Sequence, residues 1–249
     1  MTVARRTRRK AILKELGLTP LWRTRTEVHG RASAEKAEAA VEPVSDLHVD
    51  AKEDRRAQIL RMGWDELKAS VEGCIACPLF QSRTRTVFGI GDKNADWLYV
   101  GEGPGAQEDA TGEPFVGQAG KLLDNMLAAI DLKRGQNVYI ANIVKCRPPE
   151  NRAPTSHEAH QCEPYLARQI ELMKPRLIIA LGKVASENLL HTDANLGSLR
   201  GRLHQHSGIP VIVTYHPAYL LRTLPAKAKA WEDLCFARYT MQTLLHSEN

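Results

Sequence analysis

No apolar run in this chain of 249 residues approaches the roughly 18 residues that crossing a bilayer takes. No apolar h-region stands at its start, so no export signal is expected. Five cysteines are too few and too unevenly spaced for a disulfide scaffold. No segment repeats another. Secreted, membrane and fibrous classes are thereby excluded, and 43% hydrophobic with 25% charged residues is ordinary for a globular protein with a core of its own. Acidic residues are scarce at one end only. Residues 1–31 hold nine Lys or Arg against Glu15 and Glu27, whereas the other 218 residues carry 25 basic and 27 acidic groups. The pI near 9.0 therefore belongs to the tail. Such a tail suits a polyanion or an acidic protein partner, or is simply a solvated end.

The chain divides by composition. A short helical pattern, residues 11–16, is stopped by Gly17 and Pro20. Residues 27–58 are rich in Ala, Glu, Lys and Asp with almost no large apolar side chain, which is linker composition. Globular patterning begins near Met62. The expected division is a basic tail and linker over 1–60 and one domain over 61–249. Within that domain four short apolar runs read as buried strands: Trp97–Val100, Val138–Ala141, Leu177–Leu181 and Val211–Tyr215. Helical patterns lie between and after them, over Gly117–Ile130, Thr155–Met173, Val184–Leu190 and Ala226–Leu245. Strands alternating with helices predict a mostly parallel sheet.

Ligands of such sheets sit at the carboxyl ends of the strands. The first run leads into Gly101-Glu102-Gly103-Pro104-Gly105, the second into Asn142 and Lys145-Cys146-Arg147-Pro148-Pro149, the third into Gly182-Lys183, the fourth into His216-Pro217. Polar and Gly-rich groups thus converge on one edge. The cysteines show a second pattern: Cys74-x2-Cys77, then 68 residues to Cys146 and 15 more to Cys162. A CxxC turn brings two thiolates to one centre, and two distant ones can close a four-sulfur site. Zinc and an iron–sulfur cluster both fit that set. The long, irregular spacing disfavours a zinc ribbon, and Cys74 lacks the strand-then-helix setting of a thioredoxin-like pair. Cys235, in the last helical pattern with Trp231, Leu234 and Tyr239, reads as a core residue rather than a fifth ligand.

Together Cys74-Ile-Ala-Cys77, Gly101-Glu-Gly-Pro-Gly-Ala-Gln-Glu-Asp109, Gly112-Glu-Pro-Phe-Val-Gly117, Asn142-Ile-Val-Lys-Cys-Arg-Pro-Pro149 and His216-Pro217 resemble the family 4, iron–sulfur branch of the uracil-DNA glycosylases. The resemblance covers about residues 65–245. It implies a three-layer α/β/α sandwich around a four-stranded parallel sheet, a monofunctional glycosylase acting on uracil in single- or double-stranded DNA, and one 4Fe-4S cluster on Cys74, Cys77, Cys146 and Cys162. It also implies that Phe115 stacks on the flipped base, Asn142 reads its edge, Glu102 positions water or stabilises the sugar cation, and His216 donates to uracil O2. It implies Glu108 as a further catalytic residue, supporting the water, and Gly103 and Asn151 in the same motif loops as parts of the base site. Arg147, Arg152, Arg200 and Arg202 are phosphate candidates. Tyr219 and Leu220, after His216-Pro217, are wedge candidates.

A neighbouring branch cross-links to DNA through a His in an inserted basic loop and carries Gln where this chain has Gly103. Residues 147–161 hold no such insertion, so a turning-over hydrolase is expected. The N-terminal Arg8-Arg9-x3-Leu13-x2-Leu16-Gly17-Leu18-Thr19, with Trp22, resembles the arm by which the psi subunit docks on the bacterial replicative clamp loader. That implies a tether to the clamp loader, with non-specific DNA binding by the tail as the alternative. The overall expectation is a cytoplasmic, nucleoid-associated monomer with no membrane contact.

Overall fold

The computed structural model describes residues 55–246. The tail and most of the linker read from the sequence lie outside the described residues. Residues 55–59 are helical and Ile59 is buried, so packed structure begins slightly ahead of the boundary read at 60/61. Helix α1 (Trp64–Glu72) turns Leu67 and Val71 inward and ends at Gly73, directly before Cys74. A 3-10 turn (Pro78–Gln81) and strand β1 (Ile90–Gly91) follow. The alternating part then runs β2 (Trp97–Gly101), α2 (Ala106–Thr111), α3 (Gln118–Ala128), β3 (Val138–Asn142), a 3-10 turn (Pro149–Asn151), α4 (Ser156–Met173), β4 (Leu177–Leu181), α5 (Lys183–Leu190), α6 (Leu196–Leu199), β5 (Leu203–His206), β6 (Ile209–Thr214), α7 (Pro217–Arg222) and α8 (Ala226–His246).

The sheet has the order β1-β3-β2-β4-β6-β5. Its inner strands β3, β2, β4 and β6 are parallel, and these are the four read from the sequence. The sheet is nevertheless six-stranded, because β1 and β5 add antiparallel edges. Neither edge carries an apolar run: β1 is two residues long and β5 alternates exposed with half-buried positions.

Every residue of β2, β3 and β4 is buried, because helices cover both faces. Alternate residues serve opposite cores. Leu98, Val100, Ile178 and Ala180 pack with α1, α4 and α5, whereas Tyr99, Ile140, Ile179 and Leu181 pack with α3 and α8. The result is the expected α/β/α sandwich. On α8, Leu234 is buried and Cys235 half-buried, but Trp231 and Tyr239 face solvent and do not join the core expected around Cys235. Among the described residues no helix is long and apolar enough to cross a membrane.

Candidate active site

Strand order reverses around β2, whose neighbours β3 and β4 lie on opposite sides of it. A crevice at the carboxyl ends of the strands follows from such a reversal. A cleft of about 800 Å³ opens there. Its lining includes Glu102, Gly103, Glu108, Phe115, Asn142, Asn151 and His216, so all seven non-cysteine site residues read from the sequence come together.

The wall of the cleft is the loop between α2 and α3. Glu108 closes a capping box by accepting from Gly105 N at 3.1 Å, and its other oxygen accepts from Val116 N at 3.0 Å and Gly117 N at 3.1 Å. Arg134 grips the same loop from its other side, donating to Pro114 O at 2.8 Å and Phe115 O at 2.9 Å, with Nε on Asp124 at 2.9 Å. Between these clamps Phe115 adopts φ 55°, a conformation non-glycine residues hold only when their surroundings over-determine it. Phe115 is only 7% exposed, showing the cleft one side of a ring that otherwise packs in the core.

Asn142 ends β3 level with Gly101 of β2. A β-carbon on Gly101 would lie 2.6 Å from the Phe115 ring and closer still to Asn142 Oδ1, so the missing side chain lets amide and ring share one corner. Asn142 is 1% exposed, and its Oδ1 is buried without a hydrogen-bond partner. Buried polar atoms are normally paired, so this oxygen is open to a donor that enters the cleft. Glu102 follows β2, and burial raises its carboxyl above the ordinary range. His216 follows β6 and stacks on Phe115 with ring centroids 5.5 Å apart. Gly182 faces it at φ 89°, where a β-carbon would meet His216 Cβ at 2.8 Å. Burial, reinforced by the Arg222 cation, pushes the imidazole down to about 4 despite Glu108. His216 Nδ1 accepts from Ala218 N at 3.1 Å, which leaves Nε2 to carry the proton of the neutral ring.

At the rim, Asn151 Oδ1 accepts from Arg147 Nε at 2.8 Å. Arg152 holds Glu158 through two bonds of 2.7 and 2.8 Å, and the pairing takes the Glu158 carboxyl down to about 2. Tyr215 and Tyr219 stack at 5.2 Å, with the Arg200 guanidinium 4.6 Å from the Tyr215 ring centre. Two sequence expectations fail here. Leu220 is 1% exposed and packs in the core, so it is no wedge, whereas Tyr219 is exposed. Arg200 is held by Asp233 at 2.7 Å, which also accepts from Thr214, and is not a free phosphate ligand.

The other four cysteines line one small cavity behind the cleft. Cys74 and Cys77 come from the turn after α1, Cys146 from the segment after β3, Cys162 from α4. As thiols, Cys77, Cys146 and Cys162 are raised by burial, Cys162 to about 12. Donors nevertheless point at the sulfurs: Arg83 Nη1 to Cys146 Sγ at 3.2 Å, Lys145 N to Cys162 Sγ at 3.3 Å, and Arg55 Nη2 to Cys74 Sγ at 3.7 Å. Such donors suit thiolates bound to a metal centre. Among the described residues no three His, Cys, Asp or Glu side chains close on a single-ion position. Lys145 is also buried, its ammonium lowered to about 8 by desolvation against the opposing pull of Cys162 and Cys146. Sequence reasoning gave no role to Arg83, Arg134, Lys145 or Gln169. Their side-chain partners lie 9 to 81 residues away, the Lys145–Asn142 contact excepted, and no local spacing announces them.

Fold and cleft together define a class: α/β/α proteins with a cleft bearing polar side chains at the carboxyl ends of the parallel strands. Comparison with known proteins narrows it. The family model for the uracil DNA glycosylase superfamily matches residues 88–235, more than half the chain, and the chain belongs to that superfamily. It is 41% identical over 165 residues to a type-4 uracil-DNA glycosylase of Archaeoglobus fulgidus, covering 63% of this chain and 82% of the relative. Against a type-4 uracil-DNA glycosylase of Thermotoga maritima it is 45% identical over 154 residues, 61% of this chain and 80% of the relative. A type-5 uracil-DNA glycosylase of Pyrobaculum aerophilum is 30% identical over 193 residues, covering 64% and 84%.

Proposed function

We propose that the protein is a uracil-DNA glycosylase of the type-4 kind. It hydrolyses the N-glycosidic bond of uracil left in DNA by cytosine deamination, leaving an abasic site for base-excision repair. The observation that carries the reading is the buried, unpartnered Oδ1 of Asn142 beside the Phe115 ring. An amide presents an acceptor and a donor side by side, which suits N3–H and O4 of uracil; cytosine presents the reverse pattern there. A base reaches such a corner only when it is extruded from the stack, with Phe115 as the surface it lies on.

Breaking the bond builds positive charge on the sugar and negative charge on the leaving uracil. Glu102, half-buried at the cleft, orients water or stabilises the sugar cation once ionised. His216 stays neutral at physiological pH and donates from Nε2 to uracil O2. Glu108 serves through the backbone, holding the Phe115 loop, and Gly103 and Asn151 shape the cleft beside them. The donor set fits a 4Fe-4S cluster on Cys74, Cys77, Cys146 and Cys162: four sulfurs line one cavity, and N–H groups are aimed at them. When bound, the cluster supplies a cross-link between four points of the chain, and no step of the reaction is routed through it.

Arg152, paired with Glu158 yet 43% exposed where Arg200 is 11%, and Arg147 nearby remain candidates to meet phosphates of single- or double-stranded DNA. The basic residues 1–31 extend this reading to a tether on the replicative clamp loader of a nucleoid-associated monomer. Leu16→Ala/Trp22→Ala should abolish capture by the loader; equal capture would end that part. The function itself is tested with end-labelled oligonucleotides carrying one uracil. Release of free uracil, with a strand break only after alkali, is expected. No break on single-stranded, U:G or U:A substrates, from cluster-loaded protein, would overturn the reading.

A further inference from the structure

Between the cysteine cavity and the base corner lies a lysine that the reaction described above does not use. Lys145 is 1% exposed, and a buried ammonium persists only where its protons find partners. Nζ donates to Gln169 Oε1 at 2.7 Å and to the Asn142 carbonyl at 3.0 Å. Gln169 is itself wholly buried and anchored, its Nε2 donating to Phe88 O at 2.9 Å. The backbone N–H of Lys145 donates to Cys162 Sγ at 3.3 Å. Cys162 and Gln169 stand seven residues apart on α4, about two turns, and so share a face. Helix α4 therefore holds the segment after β3 at two points, one on a cysteine and one on the lysine head. The Asn142 Oδ1 has no partner of its own in the protein, so the aim of that amide depends on how its backbone is held.

We propose that Lys145 is a positioning residue for base recognition. Braced by Gln169, its ammonium fixes the Asn142 carbonyl, and with it the direction of the Asn142 amide. Through Cys162 the same residue links that direction to the cysteine-held segment. The inference rests on the reading of Asn142 as the group that meets the base. A lysine that merely balanced thiolate charge would need no bond to Asn142, and that is the competing role the test separates.

The test is a double-mutant cycle on the full, cluster-loaded chain with Lys145→Met and Asn142→Ala. Single-turnover uracil excision is measured alongside binding to abasic product DNA and visible absorption. Asn142→Ala alone tests the underlying reading: excision at the wild-type rate would overturn that reading, and this proposal with it. If Asn142→Ala is impaired, Lys145→Met is expected to slow excision about 10- to 100-fold, the range for residues that orient a functional group. The double variant should then lie within about twofold of Asn142→Ala, because the two losses are one loss. Abasic DNA has no base to read, so its affinity should not change, and absorption should be retained. Multiplicative losses, weakened product binding or bleached absorption would overturn the proposal. Should Lys145→Met not fold, Gln169→Leu removes the brace and leaves the lysine; the same cycle applies, and unchanged or multiplicative excision there overturns it.

Discussion

Asn142 Oδ1 has no hydrogen-bond partner within the protein and lines the cleft, where an acceptor left unpaired by a bound base would cost about 1–3 kcal/mol. A donor arriving on the base avoids that cost, so binding energy is concentrated at the group that tells uracil from cytosine. The corner tolerates no added bulk. Gly101→Ala should drive Phe115 and Asn142 apart and cut kcat/KM for uracil on the order of 100-fold, the scale of losing one well-placed contact; a near wild-type value would show the corner to be looser than its geometry. The pH profile separates the two titratable groups. Burial raises the Glu102 carboxyl, and its ionised form is the useful one, so the rate should fall with decreasing pH through a value above the ordinary 4.5. His216, held near 4, is neutral over that range and does not set this limb. Glu102→Gln should slow the reaction and flatten the acid limb; an unchanged limb would assign it to another group. Asn142, Glu102 and His216 were legible because each directly follows an apolar run at one sheet edge. The engagement of Glu108 by the backbone was not, since its partners at 116 and 117 depend on the turn that holds Phe115 at positive φ.

Helix α4 organises both centres. Thr155 caps it, Glu158 completes the capping box and binds Arg152, Cys162 faces the cysteine cavity, and Gln169 braces Lys145. Glu158 is held at about 2 against an ordinary 4.5, a depressed carboxyl. Its stabilisation is therefore complete above about pH 4.5 and lost as pH falls toward 2. Glu158→Gln keeps the capping box but loses the charge paired with Arg152, and should lower stability at neutral pH by about 1 kcal/mol, the upper scale for a partly exposed ion pair. For a domain of this size that is roughly 2–4 °C in Tm. The difference should narrow below pH 4.5, and a gap independent of pH would contradict the assignment. The helix was readable from Thr155 and the periodicity after it. The inner strands were readable because burial on both faces makes continuous apolar runs. The two edge strands were not, because β1 is only two residues long and β5 alternates exposed with half-buried positions.

At the scale of the whole chain, the charge of residues 1–31 is separate from the near-neutral remainder. Deleting residues 1–54 should leave uracil excision by the domain intact while removing capture by the clamp loader or the salt-sensitive part of DNA binding. Loss of excision on that deletion would place part of the active site outside the cleft. On the proposed cluster assignment, stripping iron with a chelator should bleach visible absorption and lower Tm, because four separated points of the chain would lose a common anchor. The proposed reading of the site rests on one geometric fact, an amide buried and left open at the end of β3. Its most direct test is single-turnover uracil excision by Asn142→Ala beside wild type, with Tm and cluster absorption recorded on the same samples. The expected result is a loss on the order of 100-fold or more with Tm and absorption unchanged. Excision at the wild-type rate would mean that the base is read elsewhere.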